Sequence, residues 1–204
     1  GIPGLAVLVG RRDGAEICRL VRDFDLCIDA THPYAVEVTK HIRAACGKEG
    51  IPLRRLLRAE SPVEDCVRVE SCAQAAAYLA HQPGNVLVAT GAKELAAFAV
   101  LDPRRVFARV LPTHMGIEAC ERLGLPHRNI LALQGPFTQK LNEAMLEQYH
   151  IRWLVTKDGG GAGGFAEKQA AARAAGARLI LVDRPPDDGV SLEAILNELG
   201  GSLP

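Results

Sequence analysis

What this sequence lacks narrows its function before any motif does. Its 204 residues carry 24 basic and 24 acidic side chains, so the formal net charge is zero. A neutral chain has no global field drawing it to nucleic acid or to an anionic membrane. No run approaches the ~18 consecutive apolar residues of a membrane helix, and no signal peptide is read ahead of the first apolar run. The six cysteines (Cys18, Cys27, Cys46, Cys66, Cys72 and Cys120) form no Cys-x-x-Cys pair. Several fall inside apolar patterns, which reads as small buried hydrophobes in a reducing cytoplasm. The histidines show no zinc-type spacing, so no metal site is expected. A Gly-x-x-x-x-Gly-Lys-Ser/Thr phosphate loop is absent. No Ser-His-Asp or Cys-His set can be placed, so covalent catalysis has no support.

What is present is a regular alternation. Apolar runs predict strands over 5–9, 25–28, 53–57, 86–89, 106–110, 130–133, 153–156 and 178–182. Helical periods predict helices over 15–24, 35–46, 72–81, 93–98, 114–122, 139–148, 167–175 and 192–199. Ser71 with Gln74 makes a capping box, and Thr138 and Ser191 are expected N-caps. Repeated βα units predict an α/β fold with a mostly parallel sheet covered on both faces. A Pro-bearing loop near 100–105 predicts two Rossmann-like halves, residues 1–102 and 103–204.

Ligands of such sheets bind beyond the carboxyl ends of the strands, and the loops there are chemically loaded. Thr156-Lys157-Asp158 leads into five glycines in six positions and then a helix. A glycine-rich turn at a helix N-terminus presents bare N–H groups and a positive dipole end to phosphate or carboxylate. Gly159-x-Gly161-x-x-Gly164 matches the dinucleotide fingerprint formally. Asp183 follows at the end of the next strand as a ribose acid would, beside Arg184, which suits a 2′-phosphate. However, Thr156-Lys157-Asp158 displaces the register, and Gly160 and Gly163 make the match easy to obtain by accident. Lys157 and Lys168 bracket the glycines as ligand cations. Asp158 is either a backbone cap or a chemical group.

Three further loops add to this. In Thr31-His32-Pro33-Tyr34 a hydroxyl, an imidazole and a phenol converge, and His32 either contacts a ligand or holds the turn through a backbone bond. Thr90-Gly91-Ala92-Lys93 gives a hydroxyl, a glycine and a cation at a helix start. Gln134-Gly135-Pro136-Phe137 follows the strand over 130–133. Strand alternation puts Arg54 and Arg58 on one face and Arg55 on the other. Arg109 stands late in its strand.

Together with Gly50 to Arg58 and Arg109-Val110-Leu111-Pro112, these motifs, in order from about residue 5 to residue 185, closely resemble the precorrin-6A reductase family. The resemblance implies two Rossmann-like halves around a cleft. It also implies reduction of precorrin-6A or its cobalt complex by NADPH or NADH on the route to cobalamin. Family members begin with a strand and a Gly-Gly-Thr-x-Glu-Gly-type loop, so the chain is expected to start after its first βα unit. A carboxylate-rich tetrapyrrole needs local cations despite the zero net charge, and Lys93, Arg109, Lys157, Lys168 and Arg184 are the candidates for those contacts or for the cofactor phosphates. The expected cofactor contacts are Thr31, Thr90, Gly91, Lys93, Gly159, Gly161, Gly164 and Arg184. The expected substrate contacts are Arg109, Gly135, Phe137 and Lys168. Reduction delivers a hydride to one carbon and a proton to its neighbour, the proton coming from His32, Tyr34, Lys157 or solvent. Read without the resemblance, the same residues suit another nucleotide-dependent α/β enzyme, or a non-catalytic module for an anionic tetrapyrrole or nucleotide.

Overall fold

The computed structural model describes residues 5–10, 12–63, 65–159 and 164–200. The chain forms two units nested in sequence: Gly1–Arg58 with Pro186–Pro204, and Ala59–Pro185. The first contains α1 (Gly14–Val21), β1 (Cys27–Asp29), α2 (Val36–Glu49), β2 (Leu53–Arg55) and, after the chain returns, the last helix α7 (Leu192–Glu198). Asp13 opens α1 with a reciprocal capping box to Glu16, satisfying two N–H groups that a helix start leaves orphaned. β1 and β2 run parallel, Cys27 beside Leu53 and Asp29 beside Arg55. Ile17, Val21, Ala45 and Cys46 form this unit's buried cluster.

The second unit contains β3 (Cys66–Val69), α3 (Cys72–Ala80), β4 (Asn85–Val88), β5 (Val106–Val110), α4 (His114–Arg122), β6 (Ile130–Ala132), α5 (Gln139–Gln148), β7 (Ile151–Lys157), α6 (Phe165–Ala174) and β8 (Arg178–Val182). Among the described residues these strands form one parallel sheet in the order β3-β8-β7-β4-β5-β6. Both faces are buried, as a parallel sheet requires. Val86, Val88, Trp153, Val155 and Ile180 pack on one face, with Leu79 and Phe98. Leu87, Leu154, Leu179 and Leu181 pack on the other, with Leu146 and Phe165. From β4 the chain builds outward through β5 and β6, then returns to lay β7 on β4's opposite side. That reversal is a topological switch point, where open parallel sheets place their ligands.

The structure corrects four expectations. The boundary between 102 and 103 falls inside the second unit, because β4 and β5 on either side of it pair directly, Val86 beside Val106. Residues 5–9 form no strand; among the described residues they have no ladder to join, and Leu5, Val7, Leu8 and Val9 are exposed. β3 was not expected. It is a short edge strand whose outward Arg68 reaches Asp183 on the neighbouring chain segment at 2.9 Å. The helix over 93–98 is a 3-10 helix, Ala92–Val100. Its buried residues Leu95 and Phe98, followed by Leu101, recur every three positions, which is the repeat that a 3-10 helix stacks on one side.

The caps hold. Ser71, Thr138 and Ser191 accept from the N–H groups of Gln74, Leu141 and Ala194 at 3.2, 3.3 and 3.2 Å. Gln74 Oε1 accepts from Glu70 N rather than from Ser71 N. Among the described residues no helix is long and apolar enough to cross a membrane.

Candidate active site

In the second unit, a pocket of about 620 Å³ opens at the carboxyl ends of β4, β5 and β6 and the start of α6. It gathers Thr90, Gly91, Lys93, Arg109, Gly135, Phe137, Gly164 and Lys168 from four separate stretches of sequence. Three of the lining residues are cations and none is a carboxylate. Leu111, Met115 and Leu133, which are solvent-exposed, add apolar surface. Gly116 lets α4 close on the strand: a Cβ there would sit 2.4 Å from the Leu111 carbonyl oxygen.

Arg109 stands in a strand buried along its whole length. Nη1 donates to Asn142 Oδ1 at 2.7 Å, and the guanidinium lies 4.4 Å from the Phe137 ring centroid. Asn142 is itself fixed, donating to the Thr138 carbonyl at 2.9 Å. Burial pushes Arg109 down to a pKa of about 10. Lys168 projects from the face of α6 that also buries Phe165, Ala171 and Ala172, and Nζ donates to Thr156 Oγ1 at 3.0 Å. Burial, reinforced by the Arg109 charge, lowers Lys168 to about 8. Among the described residues neither cation has a carboxylate within ion-pair distance. Desolvating two cations without counter-ions is costly, and an incoming anion removes that cost.

In the same lining, Gly91 has φ +92 with open space where a Cβ would be, a conformation glycine alone adopts readily. Thr90 Oγ1 is buried beside the Cys72 thiol without a regular hydrogen-bond partner. Gly164 caps α6 in the left-handed region at φ 62. Bare backbone and helix starts of this kind fit the phosphates of a nicotinamide nucleotide.

Other expected residues have protein partners. Lys157 Nζ lies 3.3 Å from Glu94 Oε1. Arg184 donates to Asp158 Oδ2 at 2.7 Å and to the Ala59 carbonyl at 3.1 Å. Asp158 also accepts from Ser61 N and Oγ, so its partners include one backbone N–H. Asp183 pairs with Arg68. Gly159 is buried, and Gly161 lies outside the described residues.

In the first unit, His32 Nδ1 accepts from Tyr34 N at 3.3 Å and the two rings stand 5.5 Å apart. An imidazole accepting at Nδ1 carries its own proton on Nε2. Thr31 Oγ1 meets Thr39 Oγ1 at 3.2 Å and accepts from Arg55 Nη1 at 3.1 Å. Arg55 is the buried centre of this turn. It pairs with Asp29 at 3.1 Å and Asp187 at 2.8 Å, and also donates to the Asp29 and Thr31 carbonyls.

Sequence reading missed Asn142, Thr156 and the apolar lining at Leu111, Met115 and Leu133. Asn142 carried a signal, since it shares a buried helix stripe with Met145 and Leu146. A polar residue at an apolar position asks for a partner.

The family model described as precorrin-6x reductase CbiJ/CobK matches residues 2–199. The cobalt-precorrin-6A reductase of Priestia megaterium is 35% identical over 187 residues, covering 88% of this chain and 73% of that protein. That of Methanothermobacter thermautotrophicus is 36% identical over 184 residues, covering 87% of this chain and 61% of its own length. The precorrin-6A reductase of Rhodococcus erythropolis is 32% identical over 181 residues, covering 87% and 70%. A solved CobK precorrin-6A reductase superposes with a TM-score of 0.70 at 29% identity, over 91% of this chain and 77% of that one. With the family model spanning nearly all of the chain and these relatives matching most of it, the chain belongs to the precorrin-6x reductase family, CbiJ/CobK.

Proposed function

We propose that this chain reduces a C=C bond of precorrin-6A or cobalt-precorrin-6A with NADPH or NADH, in cobalamin biosynthesis. Beyond family membership, one observation supports the reading most: a pocket at the switch point whose charged lining residues, Lys93, Arg109 and Lys168, are all cations. A zero-charge protein gains affinity for a polycarboxylate by such local concentration.

The hydride belongs to the bound nicotinamide nucleotide. Thr90, Gly91, Lys93 and Gly164 hold it by open backbone, hydroxyl and cation, and Gly159, Gly161, Thr31 and Arg184 are further proposed contacts. Arg109, Gly135, Phe137 and Lys168 hold the tetrapyrrole. His32, Tyr34 or Lys157 delivers the proton.

The test is turnover of purified protein with each tetrapyrrole and each nucleotide, followed by loss of reduced-nicotinamide absorbance and a product heavier by two hydrogens. No turnover with any combination would reject the reading. Normal single-turnover hydride transfer in a His32→Ala, Tyr34→Phe, Lys157→Ala triple variant would remove the proton donors from it.

A further inference from the structure

The structure separates the pocket's polar groups into those already committed and those still available. Thr113 Oγ1 accepts from Gly116 N at 3.1 Å as the α4 cap. Asn142 is shared between Arg109 and the Thr138 carbonyl. Near Arg109 the remaining lining is apolar: Val110, Leu111, Leu133, Pro136 and Phe137. This end of the pocket therefore offers two cations and hydrocarbon, with little neutral hydrogen-bonding capacity for ribose hydroxyls.

Each cation keeps donors in reserve. Arg109 has five N–H groups and only Nη1 has an acceptor among the described residues. Lys168 has three and bonds Thr156. Both residues are more than nine-tenths buried. Phe137 stacks on the guanidinium face and leaves its edge, the geometry a carboxylate meets with two parallel bonds.

Resting on the reductase reading, we infer that Arg109 and Lys168 together clasp one carboxylate at the rim of the tetrapyrrole, while its carbon skeleton meets the apolar lining. The nucleotide's phosphates are held elsewhere. Both cations line the same pocket, and burial together with the Arg109 charge lowers the Lys168 pKa.

The test is equilibrium binding of uroporphyrin, a stable polycarboxylate tetrapyrrole, and separately of NADP⁺, to the full chain. Arg109→Met, Lys168→Met and the double variant are compared with wild type. Each single variant is expected to weaken porphyrin binding by about 10–100-fold, the loss of one charge-assisted contact, with NADP⁺ binding unchanged. The double variant is expected to be little worse than either single, because both residues hold the same group. Lys168→Gln, which keeps a donor for Thr156, gives the same loss and covers a misfolded methionine variant.

Weakened NADP⁺ binding with porphyrin unchanged would assign the cations to phosphate and overturn the inference. Strictly additive losses would overturn the shared clasp. Wild-type protein that binds no tetrapyrrole would reject the reductase reading itself, whatever the variants do.

Discussion

Among the described residues two arginines are buried, one in each unit, in opposite electrostatic company. Arg55 in β2 has Asp29 and Asp187 on it, with the Asp29 and Thr31 carbonyls and the Thr31 hydroxyl completing its bonds. Arg109 in β5 has an amide, an aromatic face and a second cation. Both pay for desolvation, but only Arg55 is repaid within the protein. The first arrangement is closed and holds a turn in place. The second is open, with no carboxylate on it among the described residues. Burial of charge is thus a functional signal only after its partners have been counted.

The sharpest way to break this contrast is to remove each arginine. Arg55→Met strands Asp29 and Asp187 and is expected to destabilise by ~3–5 kcal/mol. Arg109→Met strands no carboxylate and should stay within about 1 kcal/mol of wild type, as read by urea unfolding. Equal costs would mean that the two sites are alike.

The second test uses pH. Lys168 holds its proton less well when folded, at about 8, than an ordinary lysine does at 10.5. Between those values the unfolded chain binds more protons, so stability rises with pH, by up to about 3 kcal/mol. Lys168→Met removes that rise and, near neutral pH, stabilises the protein. The Asp29 carboxyl shows the opposite sign. Burial alone would raise it, but hydrogen bonds from Thr31 and Thr39 and the Arg55 charge bring it below its ordinary value. Its contribution is present above the usual carboxylate range and is lost in acid.

A smaller effect is expected at Gly116. Alanine there meets the Leu111 carbonyl oxygen, costing ~1–3 kcal/mol and moving the pocket wall. Thermal unfolding and porphyrin affinity should both fall. Smallest is Glu94→Gln: its bridge to Lys157 is half exposed on the glutamate side, so the stability change should be under about 1 kcal/mol.

Much of this was legible in the sequence. α4 and α5 begin and end where their caps and periods put them, and β5 and β8 where their apolar runs do. Arg109, late in its strand, and Lys168, bracketing the glycine run, were legible as candidate cations, but not their burial. Other features were hidden because they depend on distant neighbours. β3 is four residues long and exists by pairing with β8. Residues 5–9 have a strand's composition but no partner strand among the described residues. The 3-10 helix differs from an α-helix in its tighter hydrogen-bond repeat, and the three-residue spacing of Leu95, Phe98 and Leu101 that matches it shows only once the core is known. Nor could the sequence show that Asn142 would orient Arg109, 33 residues away, or that Arg184 would settle on Asp158.

The nested order of the two units bears on how the chain acquires its structure during synthesis. The Arg184 bond to the Ala59 carbonyl brings the ends of the second unit together, so that unit is complete once its last strand has emerged. The first unit is not. Its β2 extension bridges Leu56 to Val190, and Asp187 closes on Arg55, contacts of long sequence separation that form late. The residues of β1 and β2 therefore wait for the segment that carries Asp187 and Val190. Until then Asp187, one of the two carboxylates on Arg55, has not been translated, and the arginine that holds the Thr31 turn has only Asp29 to pair with.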